Sequence, residues 1–119
     1  MNEILTLAER LIPLIRERRH TTEKDRRIAE PIVQAIRESD LCRMLLDHGT
    51  PPPYTPEAWL RVLETLAGVE ASVSWLIWNN ALPCFWSRFL DDAGRERIFG
   101  DSSRLFAGST SNFNFECSF

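Results

Sequence analysis

The stretch EASVSWLIWNNALPCFWSRFL, residues 70–90, decides the fold of this chain. From Val73 to Ala81 it is apolar on almost every side of a helix, and only three polar residues, Ser74, Asn79 and Asn80, interrupt that surface. A helix that is apolar all round is typical of the buried centre of a bundle, so we expect this one to be the central and most buried helix. Its amides then need hydrogen-bond partners, and Pro83 should bend or end the helix.

The aromatic residues of this stretch allow two interpretations. Three of the four tryptophans lie between Val73 and Phe89. A tryptophan-rich core accounts for the spacing by itself. The same residues also suit a flat apolar wall with a few polar groups, which would cover one side of a planar ligand.

Helix-start signals flank the stretch on both sides. The sequence TPE at residues 55–57 combines a capping hydroxyl, a proline and an acid, and it predicts a third helix that loosens at Gly68. Asp91 predicts the cap of a last short helix that runs through Phe99 and stops at Gly100.

Two more helices are expected nearer the N-terminus. Apolar residues at spacings of three and four predict a first helix from about residue 2 to residue 20, with a kink or a late start at Pro13. Pro31 suits the first position of a second helix that ends near Ser39, and Asp40 is expected to close it in the left-handed conformation. A short apolar turn should then pack under the first two helices, and its residues are Leu41, Met44, Leu45 and Leu46.

Two connectors stand out by composition. Residues 16–27 carry six basic and three acidic side chains. A solvated helix end with its connector is the simpler interpretation, and a phosphate-binding patch is the alternative, although no aromatic residues interleave the charges. Residues 47–55 contain three consecutive prolines and predict an extended surface connector, with a ligand for a proline-recognition domain as the alternative.

Composition limits the classes of protein that remain. A length of 119 residues fits one domain, and 44% hydrophobic with 26% charged residues is typical of a compact soluble protein. The formal net charge of −3 disfavours nucleic acid and anionic membrane as partners, and it argues against DNA binding by the second helix pair. No apolar run approaches the roughly 20 residues of a membrane span, so membrane insertion is not expected. The N-terminal residues show no basic run before an apolar stretch, so secretion is not expected either.

Cysteines and histidines give no metal or catalytic motif. Cys42, Cys84 and Cys117 are an odd number at wide spacings, which favours reduced thiols in a cytoplasmic protein over a disulfide framework. His20 and His48 lie far apart without ligand-type neighbours, so no metal site is predicted. Glycine-rich phosphate loops and nucleophile elbows are absent from the sequence, and we assign no catalytic residue.

The spacing of the apolar residues changes near the C-terminus. After residue 105 the helical spacing is lost, and Phe113 and Phe115 alternate with polar residues at the spacing of a strand. A single strand has unpaired backbone groups along both edges. We therefore expect this tail to dock on the helices, to recruit another chain or to be disordered, with weak hydrogen-exchange protection over residues 106–119.

Seven short segments follow one another along nearly the whole chain. They are LIRER at 14–18, DRR at 25–27, IRESDLCRML at 36–45, ETLA at 64–67, ASVSW at 71–75, RERIFGD at 95–101 and FAGS at 106–109. Taken in this order, they resemble acyl-CoA dehydrogenase-like flavoproteins. The segment SVSW at residues 72–75 is most similar to the branch of that family that contains flavin-dependent monooxygenases.

The resemblance implies a fold and a division of the chain. Residues 1–103 would be the all-α N-terminal helical domain of the acyl-CoA dehydrogenase type, with about five helices. Residues 104–119 would be a strand-like tail, either the start of a missing β-barrel domain or disordered. The C-terminal helical bundle, which carries the dehydrogenases' catalytic carboxylate, lies outside this chain, so the resemblance implies a flavin-dependent oxidoreductase part that is inactive alone.

The resemblance also implies ligands and residues that bind them. The full-length family holds FAD or FMN and acts on acyl-CoA or other small molecules, and tetramers are common, so a homo-oligomer is implied; tight flavin binding by this chain alone is not expected. By position, three residues resemble the first barrel strand and its flavin-facing turn: Ser109, Thr110 and Ser111. Three others resemble the helix that lines the substrate pocket: Trp75, Trp78 and Asn79.

Two stretches depart from the family's pattern. Residues 48–50 read His-Gly-Thr before three prolines, where the family usually shows a Gly-Gly pair. Residues 113–119 match nothing in the family, and a truncated gene product or an out-of-frame tail is our hypothesis for them. The alternative function is a non-enzymatic helical module that associates with itself or a partner through its aromatic face.

Overall fold

The computed structural model describes residues 2–47 and 54–101. Within these ranges the chain is all-α, with five helices and no strand, as predicted. The helices are α1 (Asn2–Asp25), α2 (Glu30–Arg37), α3 (Pro56–Ala67), α4 (Ala71–Phe85) and α5 (Asp92–Phe99). Two short 3₁₀ turns complete the described part, a first at Leu41–Arg43 and a second at Trp86–Phe89. The predicted strand-like tail and the proline connector lie outside the described residues.

Helix α1 is longer than its apolar stripe predicts. The stripe ends near residue 20, but the helix continues to Asp25. Arginine, glutamate and lysine are good helix formers, and an ion pair of 3.6 Å joins Arg19 to Glu23 one turn later. Pro13 lies inside the helix with its ring exposed. The charged segment that we expected to be a helix end with its connector is therefore helical as far as Asp25.

The core forms where α1, α3 and α4 meet around the first 3₁₀ turn. Helix α3 packs against both α1 and α4, and the turn contacts α1, α2 and α4. The apolar turn predicted to pack under the first two helices is confirmed, and it also supports α4. The largest fully buried apolar side chains are Ile4, Ile15, Ile32, Ile36, Leu41, Met44, Leu46, Val62, Leu66, Val73 and Ile77.

Local capping explains where α3 and α5 begin. The Thr55 hydroxyl oxygen accepts a hydrogen bond of 3.2 Å from the backbone N–H of Ala58. An Asp91 carboxylate oxygen accepts one of 2.7 Å from Gly94. Gly100 ends α5, and a Cβ at this position would clash with the carbonyl of Glu96.

The predicted role of Asp40 is wrong. Helix α2 ends at Arg37, and Glu38 donates its N–H to the carbonyl of Gln34. Asp40 instead precedes the first 3₁₀ turn, with φ −85° and ψ 3°, and its carbonyl accepts the N–H of Arg43. A left-handed residue was therefore not required to end α2.

Helix α4 is covered on one face and not all round. Its buried face is formed by Val73, Ser74, Ile77, Asn80, Ala81 and Cys84. On the other side, the Trp75 side chain is 63% exposed. The helix packs mainly on α3 and the first 3₁₀ turn, and two neighbours on one side cover one face of a helix. The expectation that α4 is the central and most buried helix therefore describes only one face of the helix, and the other face is exposed.

Pro83 lies near the end of α4, as predicted. The helix runs two residues further, to Phe85, and continues into the second 3₁₀ turn. Proline has no N–H to donate to the carbonyl four residues earlier, which here belongs to Asn79. In the described part of the chain, no helix combines the length and the hydropathy that crossing a bilayer would need.

Candidate functional site

The three residues predicted to line a substrate pocket lie on or beside the exposed face of α4. Trp75 is largely exposed, whereas Trp78 and Asn79 are half-buried. The Asn79 side chain makes no hydrogen bond with any described residue, so its amide is available to a ligand. The neighbouring amide differs, because Asn80 is buried and donates a bond of 2.9 Å to the carbonyl of Leu76.

A groove of about 490 Å³ lies between the C-terminal end of α1 and the first half of α4. It brings Trp75 and Asn79 together, but Trp78 does not line it. Residues from α1 and from the connector to α2 form the opposite wall. The full lining is Thr22, Glu23, Arg26, Arg27, Ile28, Glu70, Ser72, Trp75, Leu76 and Asn79.

A second, more apolar depression of about 370 Å³ lies on the other side of Trp75, between α3 and α4. Trp75 and Trp78 meet there, together with Leu63, Glu64, Ala67, Ala71 and Ser74. Trp75 therefore forms a ridge between two depressions. The predicted pocket residues are neighbours, but they do not line a single cavity.

Contacts on the buried side fix the rotation of α4 and hence the position of Trp75. The Ser74 hydroxyl is buried and donates a hydrogen bond of 2.9 Å to the carbonyl of Leu63 on α3. One turn later, Trp78 stacks on Trp59 of α3. Because Ser74 and Trp78 hold α4 against α3, Trp75 is directed away from the core.

The acidic residues of the groove are already paired. Arg19 lies 3.6 Å from a Glu23 carboxylate oxygen and 3.7 Å from one of Glu70. The Ser72 hydroxyl donates a further hydrogen bond of 3.0 Å to Glu70. Arg26 and Arg27 also line the groove, yet neither makes an ion pair or hydrogen bond through its side chain with a described residue.

The turn that carries these arginines is held in an unusual conformation. Arg26 has φ 52°, in the left-handed region that glycine favours, and this conformation costs other residues about 1–2 kcal/mol. Behind it, the buried Thr22 hydroxyl oxygen accepts a hydrogen bond of 3.4 Å from the N–H of Ala29. The sequence interpretation of residues 16–27 as a solvated helix end missed the contribution of Arg26 and Arg27 to a groove. The only signal was the local excess of positive charge.

A separate aromatic cluster covers the second 3₁₀ turn. Phe85 and Trp86 meet edge to face with ring centroids 5.4 Å apart, and Trp86 lies 5.8 Å from Phe89. The guanidinium carbon of Arg88 lies 4.0 Å from the centre of the Phe85 ring. Trp86 is 57% exposed and Phe89 is 70% exposed. Phe89 is therefore more exposed than Trp75, and it is the most exposed large apolar residue of the described part of the chain.

The two described cysteines are buried and unreactive in character. Burial, reinforced by the nearby Cys84, raises the pKa of Cys42 to about 12. Burial also raises the pKa of Cys84 to about 11, although Arg43 opposes the shift. The Cys84 thiol donates to the carbonyl of Cys42 at 3.4 Å and links the first 3₁₀ turn to α4. Both are structural thiols, because a nucleophilic cysteine needs a lowered pKa and access.

The remaining predicted residues are either outside the described part of the chain or outside the groove lining. Ser109, Thr110, Ser111 and Cys117 lie outside the described residues, as does His48. His20 is exposed on α1. Among residues 2–47 and 54–101, no three His, Cys, Asp or Glu side chains come together to hold a metal ion.

Comparison of the chain with family models, curated proteins and solved structures finds no match.

Proposed function

We propose that this chain is the N-terminal helical part of a flavin-dependent oxidoreductase resembling acyl-CoA dehydrogenases, and that the exposed face of α4 forms one wall of its flavin and substrate pocket. One observation carries the proposal. Trp75 is 63% exposed in the middle of a 15-residue helix that contains no charged residue. A large apolar side chain on an uncharged face is typical of a surface that a ligand or another polypeptide covers.

The residues beside Trp75 fit a flavin. The isoalloxazine ring is planar, and aromatic side chains pack against such rings in offset or edge arrangements. The Asn79 amide can donate to and accept from polar atoms at the ring edge. The groove volume of about 490 Å³ is in the usual range for small-molecule sites. When bound, the flavin would supply the redox chemistry, while this chain would position the ring and exclude water from one side.

The rest of the pocket would come from further protein. In this proposal residues 1–103 are the helical domain, residues 104–119 begin a barrel domain, and Ser109, Thr110 and Ser111 contact the flavin. A single wall cannot orient cofactor and substrate together, so we expect no turnover and only weak flavin binding by this chain. The free thiols of Cys42 and Cys84 agree with a cytoplasmic location, which is part of the proposal.

A titration with FMN or FAD, followed through the indole N–H signals of the ¹⁵N-labelled full chain, tests the proposal. The four tryptophans provide four separate probes. We expect the Trp75 signal to shift with a Kd on the order of 1 mM, which is about 4 kcal/mol of binding free energy. Trp86 is the internal control, because it is similarly exposed but lies outside the groove. Absence of a Trp75 shift, or an equal shift of Trp86, would contradict the proposal.

A second candidate is a non-enzymatic helical module that associates with itself through the aromatic cluster of Phe85, Trp86 and Phe89. The high exposure of Trp86 and Phe89 favours it. Sedimentation of the wild-type chain and of Phe89→Ser over a wide concentration range separates the two candidates. Association that is concentration-dependent and lost in the variant supports the module. A monomer at every concentration removes it.

A further inference from the structure

We propose that the groove between α1 and α4 binds a planar aromatic ligand that carries an anionic group, with the ring against Trp75 and the anion at Arg26 and Arg27. The inference deepens the proposed function and rests on it in using the same Trp75 wall. It adds the requirement for an anionic group at Arg26 and Arg27, which the flavin proposal does not include. Aromatic carboxylates and the phosphate-bearing flavin FMN share this chemistry.

The charges of the groove support the part of the inference that concerns the anionic group of the ligand. Two acids and two arginines line it, which suggests neutrality at first sight. However, Glu23 and Glu70 share one ion-pair partner, Arg19, so these three side chains carry a formal charge of −1 against +2 on Arg26 and Arg27. Arg26 and Arg27 are left without a carboxylate partner in the described part of the chain. Guanidinium groups bind carboxylate and phosphate through paired, charge-assisted hydrogen bonds.

The apolar side chains of the groove support the part of the inference that concerns the aromatic ring of the ligand. Trp75, Leu76 and Ile28 supply the apolar surface of the groove, and Asn79 adds an amide with no other hydrogen-bond partner among the described residues. Few convergent polar groups on an otherwise apolar lining are typical of small-molecule sites. The arginines and Trp75 belong to opposite walls, so a ligand between them can meet both.

The backbone at Arg26 has the conformation of a helix end. Arg26 directly follows Asp25, the last residue of α1, and has φ 52°, the left-handed conformation in which many helices end. Glycine or asparagine is usual at such a position. The connector thus retains an arginine at a position where glycine would fit the backbone better, and this arginine lines the groove.

The experiment compares charged and neutral forms of the same ring. The full chain is titrated with 1-naphthoate and 1-naphthamide, and with FMN and riboflavin, while the Trp75 indole signal is followed. We expect each anionic ligand to bind at least about tenfold more tightly than its neutral counterpart, which is the size of one good charge-assisted contact. Equal affinity for naphthoate and naphthamide, or no binding by naphthoate, overturns the inference. Comparison of the naphthoate and FMN affinities shows whether the groove prefers an aromatic carboxylate or a phosphate-bearing flavin.

Substitution of Arg26 and Arg27 tests whether their guanidinium groups bind the anion. Arg27→Gln and Arg26→Gly should each weaken naphthoate binding about tenfold and leave naphthamide unchanged. Arg16→Gln is the matched control, since Arg16 is exposed on α1 outside the groove lining. Arg26→Gly suits its backbone conformation, so it should melt at or above the wild-type temperature, and lost binding then cannot result from unfolding. Unchanged naphthoate affinity in both variants overturns the inference.

The outcomes distinguish this inference from the proposed function. If FMN, FAD and riboflavin leave Trp75 unchanged but naphthoate binds through Arg26 and Arg27, the flavin proposal fails and the anion site stands. If flavins shift Trp75 regardless of their charge, and naphthoate and naphthamide bind equally, the flavin proposal stands and the anion site fails.

Discussion

The indole ring of Trp78 on α4 stacks on that of Trp59 on α3, with ring centroids 4.9 Å apart and planes inclined at 25°. Trp59 is buried at 7% exposure, and Trp78 is half-buried above it. Trp75 lies just under one turn before Trp78 and about 60° around the helix from it. It therefore lies at the edge of the face that meets α3 and remains 63% exposed. The exposed ridge of the candidate site therefore depends on a contact between two other tryptophans.

The stacked pair should show energetic coupling. In a double-mutant cycle with Trp59→Leu and Trp78→Leu, we expect a coupling free energy of about 0.5–1.5 kcal/mol beyond the loss of buried area. Urea denaturation of the four proteins measures it. Trp86→Leu paired with Trp59→Leu is the control, and its effects should add. Additive effects for the stacked pair as well would contradict the stacking geometry.

The Ser74 hydrogen bond should stabilise the packing of α4 on α3. Replacing Ser74 with Ala removes a buried donor at 2.9 Å from the Leu63 carbonyl. We expect the free energy of unfolding to fall by about 1 kcal/mol. Ser72→Ala is the matched control on the same helix, because its hydroxyl bonds only to Glu70 at the rim of the groove. A loss in Ser72→Ala equal to that in Ser74→Ala would argue against this role.

The cap of α5 should contribute a similar amount to the free energy of unfolding. Asp91→Ala removes the carboxylate that accepts the Gly94 N–H at 2.7 Å, and we expect a loss of about 1 kcal/mol. Asp92→Ala removes a neighbouring, fully exposed carboxylate that pairs with Arg95, and surface pairs contribute less. Chemical denaturation of both variants compares them. If Asp92→Ala proves the more destabilising, the capping role assigned to Asp91 is wrong.

Alkaline pH should destabilise the protein through its buried thiols. The pKa of Cys42 is raised from 9.0 to about 12 in the folded state. Above pH 9 the unfolded thiol ionises while the folded thiol stays neutral, so the stabilising contribution is complete below pH 9 and is lost as the pH rises toward 12. Unfolding free energies should therefore fall more steeply with pH in the wild type than in Cys42→Ala. Parallel slopes for the two proteins would show that Cys42 is accessible and ionises freely.

The starts of two helices could be predicted from sequence, whereas the end of α2 and the rotation of α4 could not. The starts of α3 and α5 follow from Thr55 and Asp91, because a cap involves residues only three apart. The rotation of α4 could not be predicted, since a helix that is apolar on almost every side does not indicate which face is covered. That choice is made by α3, through the contacts of Ser74 and Trp78.

For the candidate site, the sequence predicted residues that are close together along the chain and missed those that are far apart. The sequence identified Trp75 and Asn79, which are one helical turn apart and line one groove. It did not place Arg26 and Arg27 opposite them, because nothing local connects residues so distant along the chain. Trp78 was assigned to the same pocket, but its stacking on Trp59 directs it to the other side of Trp75. The flavin contacts assigned to Ser109, Thr110 and Ser111 stay a prediction.

Hydroxyl-radical footprinting of the native chain, with oxidation measured separately at each tryptophan, tests the central claim most directly. The account holds that α4 is covered on one face only and presents Trp75 on the other. It predicts rapid oxidation of Trp75 and Trp86, intermediate oxidation of Trp78 and strong protection of Trp59, in the order of their exposure. Protection of Trp75 equal to that of Trp59 would show that α4 is enclosed, and the ridge, the groove and both proposals built on them would be wrong.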